Sequence, residues 1–154
     1  MYRGGAEQKI RKYLVDNNFV DAVIQLPDNL FYGTSIATCI MVLRKNKSEN
    51  STLFVDASKE FIKVTNSNKL TDANIEKILE WVKERKDVAH LVRLVPNDEV
   101  AEQGYNLSVS TYVEPEDTRE KVDIKKLNAE LKDIVAHENE LRAKIDKIIE
   151  EIEG

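Results

Sequence analysis

Near the carboxy terminus, Ile124, Leu127, Leu131, Ile134, Glu138, Leu141, Ile145, Ile148 and Ile152 follow one another at alternating intervals of 3 and 4 residues. All but Glu138 are aliphatic. A sustained 3.5-residue period makes a seam for a second helix, whereas a helix face on a globular core drifts towards 3.6. The pattern predicts a helix of about 30 residues, roughly 45 Å long at 1.5 Å per residue, more than a domain of this size needs. The expected organisation is a globular part at 1–119 and an assembly helix at 120–154, with a helix folded back on its own domain as the alternative. Glu138 costs stability in a dry seam and is expected to set register or to mark where the helix leaves its partner.

The rest of the chain is long enough, within 154 residues, to bury a core without staples. Its longest apolar run, Ile36 to Leu43, is too short to span a bilayer, and no secretory leader pattern opens the chain. The single cysteine, Cys39, lies inside that run and reads as a buried, reduced, cytoplasmic thiol. His90, His137 and Cys39 are too scattered for a zinc site, and no metal is expected. The net charge of −5 is uneven: residues 1–48 carry +3, residues 49–120 carry −6 and residues 121–154 carry −2. The basic segment holds Arg3, Lys9, Arg11 and Lys12, then Arg44, Lys45 and Lys47. Such clusters can track phosphates, although a solvated helix face and a solvated turn explain them as well.

Along the chain, Ile10, Tyr13 and Leu14 fall on one helical face, and Asp16-Asn17-Asn18 ends that helix. Phe19 to Leu26 is rich in β-branched types and reads as a strand stopped by Pro27. Ile36 to Leu43 is apolar at both parities, as a strand covered on both faces should be. Leu53-Phe54-Val55 is a short third strand. Thr71 is placed to cap a helix whose stripe is Ile75, Ile78, Leu79 and Val82, with Leu70 and Ile75 as a hydrophobic staple. His90 to Val95 is a further strand candidate, and 97–119 reads as irregular.

No self-sufficient catalytic constellation is present. With glycines only at 4, 5, 33, 104 and 154, there is no Gly-x-Gly turn to bring backbone onto a nucleotide. Neither histidine has an interpretable nucleophilic partner. One loop stands out. Leu26 to Ser35 joins two apolar strands and sets Phe31-Tyr32 between Asn29 and Gly33. Loops at strand ends of open sheets bind ligands, and an exposed ring there can stack on a planar group such as an extruded base. Rings that merely cover the sheet end are the other reading.

Several stretches carry a family resemblance. Arg3-Gly4-Gly5-Ala6-Glu7 before Lys9-Ile10-Arg11, then Val23 to Ile36, then Thr38 to Lys45, resemble the modification (M) subunit of type I restriction-modification systems. Tyr105-Asn106-Leu107-Ser108 with Ser110-Thr111-Tyr112-Val113 resembles the end of that family's catalytic domain, although Thr111 stands where members often carry Arg. The terminal heptads resemble the helical tail that contacts the specificity subunit.

The resemblance implies an α/β chain: the second half of a Rossmann-like methyltransferase sheet, then a long coiled-coil-type helix. It implies a DNA adenine-N6 methyltransferase that uses S-adenosylmethionine and works with a specificity and a restriction subunit. In the family the cofactor loop and the Asn-Pro-Pro-aromatic motif lie upstream of Arg3 to Glu7. Neither is in this chain, which is therefore expected to be a carboxy-terminal part, to bind no cofactor and to be inactive alone. It carries no catalytic residue. Asn29, Phe31, Tyr32 and Thr34 are the positions expected near the target base or its DNA, and Arg3, Lys9 and Arg44 are candidate phosphate contacts. The subunit interface is expected at Ile124, Leu127, Leu131, Ile134, Leu141, Ile145, Ile148 and Ile152. An assembly module with no enzymatic part is the rival reading. A sheet lacking its upstream strands would expose an apolar edge that invites self-association.

Overall fold

The computed structural model of the chain describes residues 1–65, 67–116 and 124–153, the last without the side chains of residues 124–127, 150 and 153. Four strands build the main sheet: β1 (Val20–Gln25), β2 (Cys39–Leu43), β3 (Ser51–Asp56) and β6 (Val92–Pro96). Their order is β2-β1-β3-β6, with β1 and β3 parallel and both outer strands antiparallel to their neighbours. The result is a mixed sheet in an α/β arrangement, with strands in the four regions whose composition favours them.

Alternation along the strands splits the core in two. One face gathers Val23 and Phe54 with Val15, Val95, Leu107 and Tyr112; the other gathers Ala22, Ile24, Leu53 and Val55 with Ile78 and Val92. Val20 sits on the first face although it is two residues from Ala22. A register shift between Val20 and Ala22, against Leu43 and Val42, explains this, because Asp21 is one residue too many for its partner strand. The buried Asp21 carboxylate meets Arg85 at 3.0 Å and Arg44 at 3.1 Å.

Helix α1 (Ala6–Asp16) covers the first face, but not by the side its sequence suggests. Ile10 and Tyr13 are exposed, Leu14 is half-buried, and the inner positions belong to Val15 and Arg11. A charged residue is tolerated there because two carbonyls accept from its guanidinium, that of Tyr105 from Nε at 2.8 Å and that of Arg3 from Nη2. Helix α2 (Asp72–Glu84) covers the second face. Thr71 caps it as expected, its Oγ1 accepting from the Asn74 amide at 3.3 Å, while Asn74 Oδ1 accepts from the Thr71 amide at 3.1 Å. Only Ile78 of the expected stripe is fully buried; Leu70 and Val82 pack partly, and Ile75 and Leu79 stay exposed.

Two further expectations are corrected. Ile36 to Leu43 is not a strand covered on both faces: β2 begins at Cys39, lies at the sheet edge and exposes Cys39, Ile40 and Leu43. An edge strand has one neighbour, so apolar composition alone does not bury it. Residues 97–119 are not wholly irregular, since α3 (Asn97–Glu102) and a short 3₁₀ turn at Val109–Thr111 pack on the first face. A hairpin of β4 (Ile62–Val64) and β5 (Ser67–Lys69) completes the first compact unit, Met1–Glu116.

The second unit, Asp117–Gly154, contains α4 (Ile124–Glu153), a single helix of 30 residues. Leu131, Ile134, Leu141, Ile145, Ile148 and Ile152 are exposed along it, as are Val135 and Ile149. Glu138 pairs with Arg142 one turn on, at 3.2 Å, so the polar seam position has an intrahelical partner. The side chains of Ile124 and Leu127 lie outside the described residues. No described helix is long and apolar enough to cross a membrane.

Candidate functional site

Because β1 and β3 run parallel, with Gln25 opposite Asp56, their carboxy-terminal ends share one edge of the sheet. Ligands of open α/β sheets bind outside that edge. The loop after β1 leaves there, and so does the segment leading from β3 to the β4–β5 hairpin.

The loop is closed at its base by the Leu26 amide, which donates to the Thr38 carbonyl at 2.9 Å. Leu26 and Pro27 are buried, and Leu30 packs partly against the second core. Asn29 adopts a left-handed conformation with φ 48°, and Gly33 takes φ 80° with open space where a Cβ would point. Across Gly33 the Thr34 amide donates to the Phe31 carbonyl at 3.3 Å, and Thr34 Oγ1 accepts from the Ile36 amide at 3.2 Å. This turn leaves Phe31 53% exposed and Tyr32 wholly exposed. Rings so exposed do not seal the end of the sheet.

The hairpin forms the neighbouring wall. Asp28, Asn29, Phe61, Lys63 and Asn68 line one shallow hollow. Asn68 Nδ2 donates to the Asp28 carbonyl and to Asp28 Oδ1, both at 2.9 Å, and its amide donates to the Asn29 carbonyl at 2.9 Å. Sequence reasoning found the loop but missed this wall. Alternation of Ile62 and Val64 around Lys63, before the turn formers Thr65 to Ser67, was the available signal.

Of the candidate cations, Arg44 lies away from this edge. Arg44 follows β2, and its amide donates to the Phe19 carbonyl at 2.9 Å, which puts it at the opposite end of β1 from the aromatic loop. Its guanidinium is engaged with Asp21. Lys47, from the same basic cluster, donates to the carbonyls of Val20 and Ser51, and burial pushes its ammonium below the usual lysine range. Arg3 and Lys9 have exposed side chains at the start of α1, with no ion pair among the described residues. On the same helix, hydrogen bonds from Lys12 to Asp16 and Tyr105 raise the lysine pKa, and the bond from Lys12 lowers that of Asp16.

Tyr105 to Val113 is a structural knot. Leu107 is fully buried, Asn106 Oδ1 accepts from the Ser108 amide at 2.9 Å, and Tyr112 stacks on Phe54 with ring centroids 4.2 Å apart. Thr111 Oγ1 accepts from Asn106 Nδ2 at 2.9 Å, so this side chain serves the turn.

The family model described as N-6 DNA Methylase matches residues 1–121. A type I restriction enzyme methylase subunit of Mycoplasma pneumoniae, MpnII, is 48% identical over 153 residues, which is 99% of this chain and 28% of that protein. A crystal structure of a type I restriction-modification methyltransferase subunit from Streptococcus thermophilus superposes with a TM-score of 0.72 at 45% identity, over 74% of this chain and 24% of that one. A structure from work on complex assembly and conformational transition of the type I system shares the fold, with a TM-score of 0.57 at 20% identity over 95% of this chain and 34% of that one. The chain thus spans little more than a quarter of the curated relative it matches.

Proposed function

The chain belongs to the N-6 DNA methylase family, and on that premise we propose that it forms part of a type I modification subunit that methylates adenine N6 in DNA. The observation that carries the reading is the Phe31-Tyr32 pair, held in the open at the carboxy-terminal ends of the parallel strands. A base taken out of a duplex needs a face to stack on, and aromatic stacking is worth about 1–3 kcal/mol per base. Asn29 and Thr34 shape the turn that presents the rings. Arg3 and Lys9, exposed and without an ion pair among the described residues, are the candidate phosphate contacts, whereas Arg44 serves Asp21.

The methyl donor of the whole subunit is S-adenosylmethionine. Residues of this chain do not fit a site for it: in the loop after β1, Gly33 stands alone, and no Gly-x-Gly turn follows either parallel strand. The donor is held elsewhere in the subunit, and this chain alone is inactive. Its sheet buttresses the target-base side, as the later part of a Rossmann-like methyltransferase sheet. Residues 120–154 assemble the subunit with the specificity subunit through the heptad seam, within a complex that includes the restriction subunit and reaches DNA as a whole.

The test is a chimera in which this chain replaces the matching 153 residues of the M. pneumoniae subunit. Phe31→Ala with Tyr32→Ala should lower its methylation roughly tenfold or more, from the stacking energies above. An unchanged rate would mean that the rings do not stack on the base. Methyl transfer by the purified 154-residue chain would overturn its inactivity. The exposed aliphatic stripe of α4 favours one alternative, a module whose only task is assembly. Charged substitutions at Leu131 and Leu141 abolish assembly on both readings; the aromatic pair separates them.

A further inference from the structure

We propose that Asn68, forty residues from the loop in sequence, is a positioning residue for the target base, acting through the backbone that carries Phe31 and Tyr32. This rests on the stacking reading above. Three hydrogen bonds of 2.9 Å leave this one residue and end on two consecutive residues, Asp28 and Asn29. Asn29 is where the chain turns left-handed, two positions before Phe31.

Burial singles Asn68 out within its hairpin. Along β5 the pattern is exposed, buried, exposed, and across the pair Ile62 and Val64 are 45% and 46% exposed. The register pairs Lys63 with Asn68, so these two share one face, while Ile62, Val64, Ser67 and Lys69 occupy the other. A strand whose only buried side chain is an amide is not held by apolar packing. What covers Asn68 is the loop it grips.

The residue type follows from the donors required. One NH2 group must serve two acceptors on the same residue, the Asp28 carbonyl and its carboxylate. Aspartate has no proton to give at neutral pH, serine has one, and glutamine puts its amide a methylene further out. The loop is thereby fixed on three sides: at its base by Leu26 and Thr38, at its tip by Phe31 and Thr34, and at its entry by Asn68. Ring position matters because a misplacement near 1 Å in a reacting assembly costs about a hundredfold in rate.

The test is a double-mutant cycle in the methylating chimera. Asn68→Ala should lower kcat about tenfold, with the KM for DNA changed by less than about twofold, because the loop aims the base rather than holding the duplex. In the Phe31→Ala, Tyr32→Ala background the same substitution should cost nothing further. An equal loss in both backgrounds overturns the proposal and makes Asn68 a scaffold residue, and so does no loss in the intact background. If removing both rings leaves methylation unchanged, the stacking reading fails first and this proposal with it. If the chimera does not methylate, amide exchange of the 154-residue chain decides. Asn68→Ala should speed exchange at Asn29 to Thr34 about tenfold and leave β1 and β3 unchanged, whereas a uniform rise, or none, overturns it.

Discussion

Strands β1 and β2 are neighbours of similar composition with opposite fates. All of β1 except Gln25 is buried, while β2 runs exposed, exposed, half-buried, half-buried, exposed. Hydropathy does not separate Val20-Asp21-Ala22-Val23-Ile24 from Cys39-Ile40-Met41-Val42-Leu43; the more polar of the two is the buried one. Position in the sheet separates them. β1 lies between β2 and β3 under a core on each face, and β2 has one neighbour and an open edge. An apolar run therefore does not by itself report burial, and the described residues of Met1–Glu116 give β2 a neighbouring strand on one edge only. Continuation of the sheet by the rest of the subunit would provide the other.

The comparison breaks most visibly at the β1 side of the core. Phe54 is fully buried on β3, beside Val23 in the register and stacked on Tyr112. Phe54→Ala should cost about 3–5 kcal/mol in urea unfolding, through lost burial and the cavity left behind. Ile40→Ala on β2, 48% exposed, should cost less than about 1 kcal/mol. Similar losses at the two sites would mean that β2 is covered in the isolated chain.

A second break targets the residue at which the two strands fall out of step. Asp21 bulges from β1, and its buried carboxylate is shared by Arg85 and Arg44. Asp21→Asn leaves the partly buried Arg85 with only the exposed Glu49, 3.5 Å from its Nε, as counter-charge and should cost about 2 kcal/mol. Arg44→Ala removes an exposed partner and should cost less than about 1 kcal/mol. If Arg44→Ala instead leaves stability alone and weakens DNA binding by the assembled complex, Arg44 is a phosphate contact after all.

These contrasts explain what could be read from the chain beforehand. β1, β3, the Thr71 cap and the long helix were legible because each rests on a local period or a local hydrogen bond. The exposure of β2 was not, since it depends on how many strands lie beside it. Arg11 took the inner face of α1 because the Tyr105 and Arg3 carbonyls were waiting for it, and no helical wheel contains that information. Helix α3 is too short to be marked by periodicity, and the β4–β5 hairpin offers a single alternation, Ile62-Lys63-Val64, before its turn. They are tied by single buried amides: Asn97 Oδ1 accepts from Thr52 Oγ1 at 2.9 Å, and Asn68 Nδ2 donates to the Asp28 carbonyl at 2.9 Å. Half of the site was legible for the same reason. The aromatic pair stands in one loop with its turn residues, whereas the brace lies far away along the chain.

The buried side of the comparison also has a titratable witness. Burial pushes the Tyr112 phenol up to about 12, from the ordinary value near 10. Protonated tyrosine is thus favoured in the folded chain, and its contribution is fully present below pH 10. The unfolded chain loses its proton first, so stability falls as pH rises from about 10 to about 12. Tyr112→Phe should flatten that decline in urea midpoints taken at pH 9 and about 11.5. At neutral pH it should cost only about 1 kcal/mol, for the hydrogen bond that the phenol donates to the Asn106 carbonyl at 2.7 Å. An undiminished alkaline decline would assign it to other groups.

The smallest effect on stability is the most informative about β2. Ile40→Lys and Leu43→Lys place charges on the open edge strand, where the side chains are 48% and 51% exposed. Unfolding free energy should change by less than about 1 kcal/mol, because neither residue is in the core. Association should change much more. An open edge of unpaired backbone flanked by apolar side chains pairs with its like, and lysines on an edge strand are a device that prevents this. Sedimentation equilibrium of the 154-residue chain should show self-association that the two lysines reduce, with Leu131 and Leu141 replaced by charged residues in both samples to silence the helix. Association unaffected by the lysines would locate the contact elsewhere. In the chimera the same substitutions should be far more damaging than in the isolated chain, because there the edge gains a neighbour and the charges become buried. A strand that tolerates charge alone but not in the whole subunit has its missing neighbour in the rest of that subunit.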